Sequence, residues 1–184
     1  MGGVGAAETA NGEVTITTEN AGTETYGVQL LQRDVPLEKG ATYVASFDAY
    51  ADEERTGLIA IEGGEDSGWV RYLNDTKFTV TPEKQHFEYV FTMEGETDAT
   101  SVFEFNLGNT SPIAPIHISN VRLEKQSVTK DIEMPITVDG KEIVLHASVK
   151  YVYAPVADDE GDKNVLSDGN CIYNGEFQEG SDRK

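Results

Sequence analysis

The chain has 184 residues, 38% of them hydrophobic, which suffices for one domain of ordinary size with its own core. Fourteen Lys and Arg against 33 Asp and Glu give a net charge of −19, which excludes partners gripped through their phosphates, nucleic acid and anionic membrane alike. The one cysteine, Cys171, excludes an internal disulfide and any multi-cysteine zinc site. The opening Met1-Gly2-Gly3-Val4-Gly5-Ala6-Ala7 has neither a basic nor an apolar leader region, and no apolar run approaches the roughly 18 residues of a spanning helix. The chain as given reads as soluble.

Alternation of apolar and polar residues, with β-branched and aromatic enrichment, predicts strands from Val14 to Leu123. In chain order they are Val14–Thr17, Tyr26–Gln32, Thr42–Ala51, Thr56–Glu62, Trp69–Leu73, Phe78–Thr81, His86–Met93, Ser101–Leu107 and Ile116–Leu123. Turn signals such as Glu38-Lys39-Gly40, Asn74-Asp75 and Gly108-Asn109 separate them. Strands at this spacing, with no helical period between them, predict an all-β fold, a two-sheet antiparallel sandwich or a barrel. Gln126–Lys130 reads as a linker, and Met134–Leu145 as a hairpin about Asp139-Gly140, with Ala147–Val152 continuing its second strand. Residues 1–125 form the expected sandwich, residues 126–163 a linker with that hairpin near 134–152, and residues 164–184 a separate turn-rich tail.

Period two also assigns faces. Tyr43, Ala45, Phe47 and Ala49 share one side of their strand, as do Phe87, Tyr89 and Phe91, and Phe103, Phe105 and Leu107. Those aromatic sides are the expected core. Catalytic signatures are missing: His86, His117 and His146 stand in no metal or triad motif, and Cys171 has no neighbour that would activate its thiol. Carboxylate pairs mean little in a chain with 33 acids, so the reading is of a non-enzyme.

The order of small motifs resembles carbohydrate-binding modules of families 4, 9, 16 and 22, jelly-roll sandwiches attached to secreted polysaccharide hydrolases. The residues that carry the likeness are Tyr26-Gly27-Val28-Gln29-Leu30-Leu31-Gln32, Leu37–Tyr43 followed by Ser46-Phe47-Asp48-Ala49, Phe87–Thr92, Phe105-Asn106-Leu107-Gly108 and Ile116–Leu123. The resemblance implies a non-catalytic module, secreted or on a bacterial cell surface, that binds a polysaccharide in a concave groove. It puts β-1,3-glucan first, then xylan or amorphous cellulose. A structural or adhesive sandwich without sugar binding is the alternative. Two departures stand out. Ser119 occupies a position where the family often has an acidic calcium ligand, so a structural calcium ion is neither assigned nor excluded. The family's opening motif appears instead near the C-terminus, as Asn170-Cys171-Ile172-Tyr173-Asn174-Gly175-Glu176-Phe177. This segment either begins a tandem module or completes the sheet edge of the sandwich, in its own chain or in a strand-swapped neighbour.

Sugar rings lie flat on Trp or Tyr, while amides, carboxylates and guanidinium groups take their hydroxyls. Trp69, flanked by Gly and acidic residues, is a candidate platform, with Arg71 on the same side. Tyr72 and Tyr50 are alternative platforms. Gln29, Gln32, Glu104 and Asn106 are polar residues inside strands where a purely structural sheet prefers Thr, Val or Lys. The resemblance carries hydroxyl binding onto Gln29 and Asn106 and stacking onto Trp69 or Tyr72.

Overall fold

The computed structural model describes residues 2–152, 170–172 and 177. Ten strands follow one another: β1 (Val4–Ala10), β2 (Glu13–Asn20), β3 (Gln29–Leu37), β4 (Ala41–Ala51), β5 (Arg55–Glu62), β6 (Arg71–Val80), β7 (Gln85–Thr92), β8 (Asp98–Asn106), β9 (Ile116–Val138) and β10 (Lys141–Val152). They form two antiparallel sheets, packed as a jelly-roll sandwich. The larger has the order β1-β2-β9-β4-β7, with β10 also on β9; the smaller is β3-β8-β5-β6. No helix among the described residues is long and apolar enough to cross a membrane.

The inward sets follow the period-two reading. Tyr43, Ala45, Phe47 and Ala49 are buried, as are Phe103, Phe105 and Leu107. Phe47 lies at the centre, with its ring 4.8 Å from that of Phe105 and 5.1 Å from those of Phe78 and Phe87. Such edge-on and offset contacts add about 0.5–1.5 kcal/mol each beyond the area they bury.

Four elements depart from expectation. β1 was not predicted: its Gly- and Ala-rich sequence has little strand character, and all seven residues are exposed. It pairs with β2 through Asn11-Gly12, both at positive φ, a two-residue turn whose twist suits a hairpin. The segment beginning at Tyr26 is a single 3-10 turn over Thr25–Gly27, so β3 starts at Gln29. The two segments flanking Asn74-Asp75 are one strand, β6. Ile59 pairs with Thr76, Ile61 with Leu73 and Glu62 with Arg71, so β6 carries one extra residue at each step. The turn signal there marks a bulge, not a strand end. Gln126–Lys130 is not a linker: β9 runs through it, with Ser127 and Val128 buried and paired to Thr42 and Ala41. The hairpin turn at Asp139-Gly140 forms as predicted, with both residues at positive φ.

The tail returns to the sandwich. β2 pairs with Ile116–Ser119 of β9 and β10 with Ser127–Val138, both on the edge opposite β4. Between them Asn170 bridges Glu124, and the Cys171 N–H donates to the Leu123 carbonyl at 2.8 Å. The Asn170 carboxamide accepts from the Leu123 and Ile172 N–H groups and donates to the Val121 carbonyl. Cys171 and Ile172 are buried, and Phe177 packs against the core. The tail thus satisfies backbone groups that β2 and β10 leave open. Tyr173 to Glu176 and residues 153–169 lie outside the described residues.

Candidate functional site

Gln29, Glu104 and Asn106 meet on the outer face of the smaller sheet because the strand pairings put them in adjacent rows. Gln29 stands opposite Asn106, which stands opposite Leu58; Leu31 stands opposite Glu104, which stands opposite Ala60. The Gln29 amide donates to Glu104 Oε2 at 3.0 Å and to Asn106 Oδ1 at 2.8 Å. Asn106 in turn donates to Glu104 Oε1 at 2.8 Å. From β6, Arg71 donates to Glu104 Oε1 at 3.3 Å, bonds Glu62 and reaches Asp75 at 3.4 Å.

The result is a connected polar strip that crosses all four strands of the smaller sheet. Glu104, Asn106 and Glu62 are nearly buried, while Gln29 and Arg71 are exposed at the two ends. One guanidinium holds two nearly buried carboxylates, which would otherwise carry the full penalty of unpaired buried charge. Leu31, Leu58 and Ala60 supply the apolar ground between the polar groups. Exposed aromatics lie in chain at either end: Tyr26 three residues before Gln29, and Trp69 two residues before Arg71. Trp69 is 48% exposed. It sits at φ 58, a left-handed conformation that costs a bulky side chain, and its N–H donates to the Gly64 carbonyl at 3.3 Å.

Three sequence-predicted residues are elsewhere. Gln32 pairs with Phe103 and so shares the inner face with Leu30; its amide donates to the Cys171 carbonyl at 3.3 Å and helps to hold the tail. Tyr72 is the extra residue of a β6 bulge. Its ring packs against the core, and its hydroxyl donates to Asp98 at 2.8 Å, with burial pushing the phenol up. Tyr50 belongs to the outer face of the larger sheet. It stacks on His117 at 4.3 Å, bonds Glu13 and lies under the Lys84 ammonium, so neither ring face is open to a ligand. Sequence reading missed Glu62, which follows the continuous apolar run Leu58-Ile59-Ala60-Ile61 that masks the alternation, and Asp75, taken as a turn residue.

The position of the family's calcium ligand does not fit a metal. Ser119 accepts from the Lys84 ammonium at 3.3 Å, which already brings a positive charge there. Among the described residues no three His, Cys, Asp or Glu side chains are grouped to hold an ion.

The two-sheet fold and the motif order agree with what comparison with known proteins finds. The family profile CBM_4_9, described as "Carbohydrate binding domain", matches residues 2–112. The chain belongs to this family. A cellulose 1,4-beta-cellobiosidase of Acetivibrio thermocellus is 28% identical over 132 residues, 68% of this chain. The chain spans only 15% of that enzyme's length. A solved family 4 carbohydrate-binding module superposes with a TM-score of 0.63 at 27% identity, covering 68% of this chain and 79% of that one. The N-terminal cellulose-binding domain of Cellulomonas fimi β-1,4-glucanase C gives 0.53 at 26% identity, covering 68% and 86%.

Proposed function

We propose that the chain is a non-catalytic module that binds a β-glucan chain along the outer face of the smaller sheet. In this reading it holds an attached glycoside hydrolase on its polysaccharide outside the cell. The observation that carries the reading is the Gln29–Asn106–Glu104–Arg71 strip, whose amide, carboxylate and guanidinium groups suit vicinal hydroxyls while the intervening Leu31 and Leu58 suit pyranose C–H faces. Glu62 and Glu104 both accept from Arg71, an arrangement that holds hydroxyls and does not hand a proton to a leaving group. A spacer or adhesive sandwich would be expected to pack its single Trp inward, and the exposure of Trp69 argues against it.

The sequence resemblance favours β-1,3-glucan, and the cellulose in the names of two relatives supports testing β-1,4-glucan beside it, with xylan third. Affinity electrophoresis in gels containing laminarin, barley β-glucan, hydroxyethylcellulose or xylan tests the proposal. Retardation is expected in at least one of the glucan gels, without release of reducing sugar. Free migration in all of them would overturn it.

A further inference from the structure

The larger sheet extends past the end of the sandwich. β4 pairs with β9 as far as Val128, and from Thr129 to the turn at Asp139-Gly140 the neighbour of β9 is β10. The pairs Ile132–Ala147, Met134–Leu145 and Ile136–Ile143 all fall on one face, in step with the buried Val128. The other face carries Asp131–Ser148, Glu133–His146, Pro135–Val144 and Thr137–Glu142. The apolar face is therefore the core-facing side of the sheet, continued beyond the last residue that the smaller sheet covers. Met134, Val138, Ile143 and Leu145 are exposed on it. A two-stranded ribbon with one apolar face is marginal in water until that face is covered.

We propose that a second copy of this chain covers it, ribbon face against ribbon face, about a two-fold axis that crosses both ribbons at the Met134–Leu145 pair. Such an antiparallel arrangement is self-complementary in size. Met134 and Leu145 meet their own counterparts, Ala147 of each copy meets Ile143 of the other, and Ile132 meets Ile136. At the ends, the aliphatic stems of Lys130, whose ammonium bonds Glu38 of its own chain, and of Lys141 lie on Val138 and Val149 of the second copy. Charge opposes contact on this surface little. Residues 129–152 hold four acids and three Lys, a net −1 out of −19, so the remaining −18 of each copy lies in the sandwich and tail. The antiparallel arrangement sends the two sandwiches to opposite ends. A face two strands wide and about seven residues long buries on the order of 700–800 Å² in total, below the roughly 1,000 Å² of a stable interface, so the dimer forms weakly and reversibly.

The test uses the whole chain in a Cys171→Ser background. Met134→Cys places a thiol on the two-fold axis, and Glu133→Cys places one on the opposite face. A short bismaleimide should link chains carrying Met134→Cys at least tenfold faster than those carrying Glu133→Cys. Sedimentation should show dimer rising between about 10 μM and 1 mM, with Leu145→Glu weakening it at least tenfold and leaving the circular dichroism spectrum unchanged. Equal cross-linking at both positions, or a monomer throughout that range, would overturn the proposal and leave the face to a partner other than a second copy.

Discussion

Arg71 holds the strip together and, in the proposed reading, also meets the ligand. Arg71→Ala removes the ion-pair partner that Glu62 and Glu104 share, so it should lower both glucan affinity and melting temperature. Gln29→Ala separates the two effects. Its amide is exposed, so titration calorimetry should show affinity falling about tenfold, or ~1.4 kcal/mol, with little change in melting temperature. Trp69→Ala should stay folded and lose retention in glucan gels; unchanged retention would remove it as a platform. Arg55 is the contrasting case. It is fully buried and donates to the carbonyls of Ala114 and Leu107 and to the Thr18 hydroxyl, pinning the β8–β9 connection. Arg55→Met strands those acceptors and should cost about 2–4 kcal/mol, read as a drop in melting temperature with glucan affinity per folded molecule unchanged. Much of this scale was legible by alternation alone. Gln29 and Gln32 are three apart, so a regular strand already sends them to opposite faces, and only Gln29 joins the strip. Alternation put Tyr50 on an outer face, but period two does not say of which sheet.

Elements were legible where pattern and pairing agree, and illegible where pairing overrides pattern. The Asp139-Gly140 hairpin announced itself through turn chemistry. The Asn11-Gly12 turn carries the same signal, but its first strand has the Gly and Ala content of a loop and forms because β2 offers it a ladder. The bulges of β6 read as a break because Asn74-Asp75 satisfies a turn rule. Serving as the partner of Leu123 and Val121 is a role for Asn170 that no local rule reveals, because these residues are separated by more than 45 positions. Deleting Asn164–Lys184 should therefore lower the melting temperature clearly, by the equivalent of about 3 kcal/mol, since it leaves the Leu123 N–H and carbonyl without their tail partners and removes Cys171 and Ile172 from the core. Asn170→Ala should give a large part of the same fall. A melting temperature unmoved by either change would mean that the tail contributes nothing to the sandwich.

Over the whole molecule, paired carboxylates and one buried tyrosine set how stability follows pH. Burial pushes Glu13, Asp48 and Asp98 up, but hydrogen bonds to them, and for Glu13 and Asp48 the nearby Lys84, outweigh it and leave all three below the usual carboxylate range. Hydrogen bonds from Lys125 and Lys130 hold Glu38 low as well. Groups lowered in the folded chain contribute stability that is present above the ordinary carboxylate range near pH 4 and is lost as pH falls through their depressed values. Burial pushes Tyr43 from 10.0 up to about 12, so its contribution is complete below pH 10 and fades as pH rises toward 12. Thermal melts should show a plateau between these limits with losses on both sides. A melting temperature that rises on acidification from pH 5 to 3 would contradict these assignments. In the proposed reading glucan binds to one face of this molecule, and calorimetric titration of a β-glucan oligosaccharide into four proteins tests that most directly. The unaltered chain should bind, Gln29→Ala and Arg71→Ala should bind at least tenfold more weakly, and Tyr50→Ala, on the opposite sheet, should bind as the unaltered chain does. Full affinity in both strip variants, or its loss in Tyr50→Ala alone, would contradict the account.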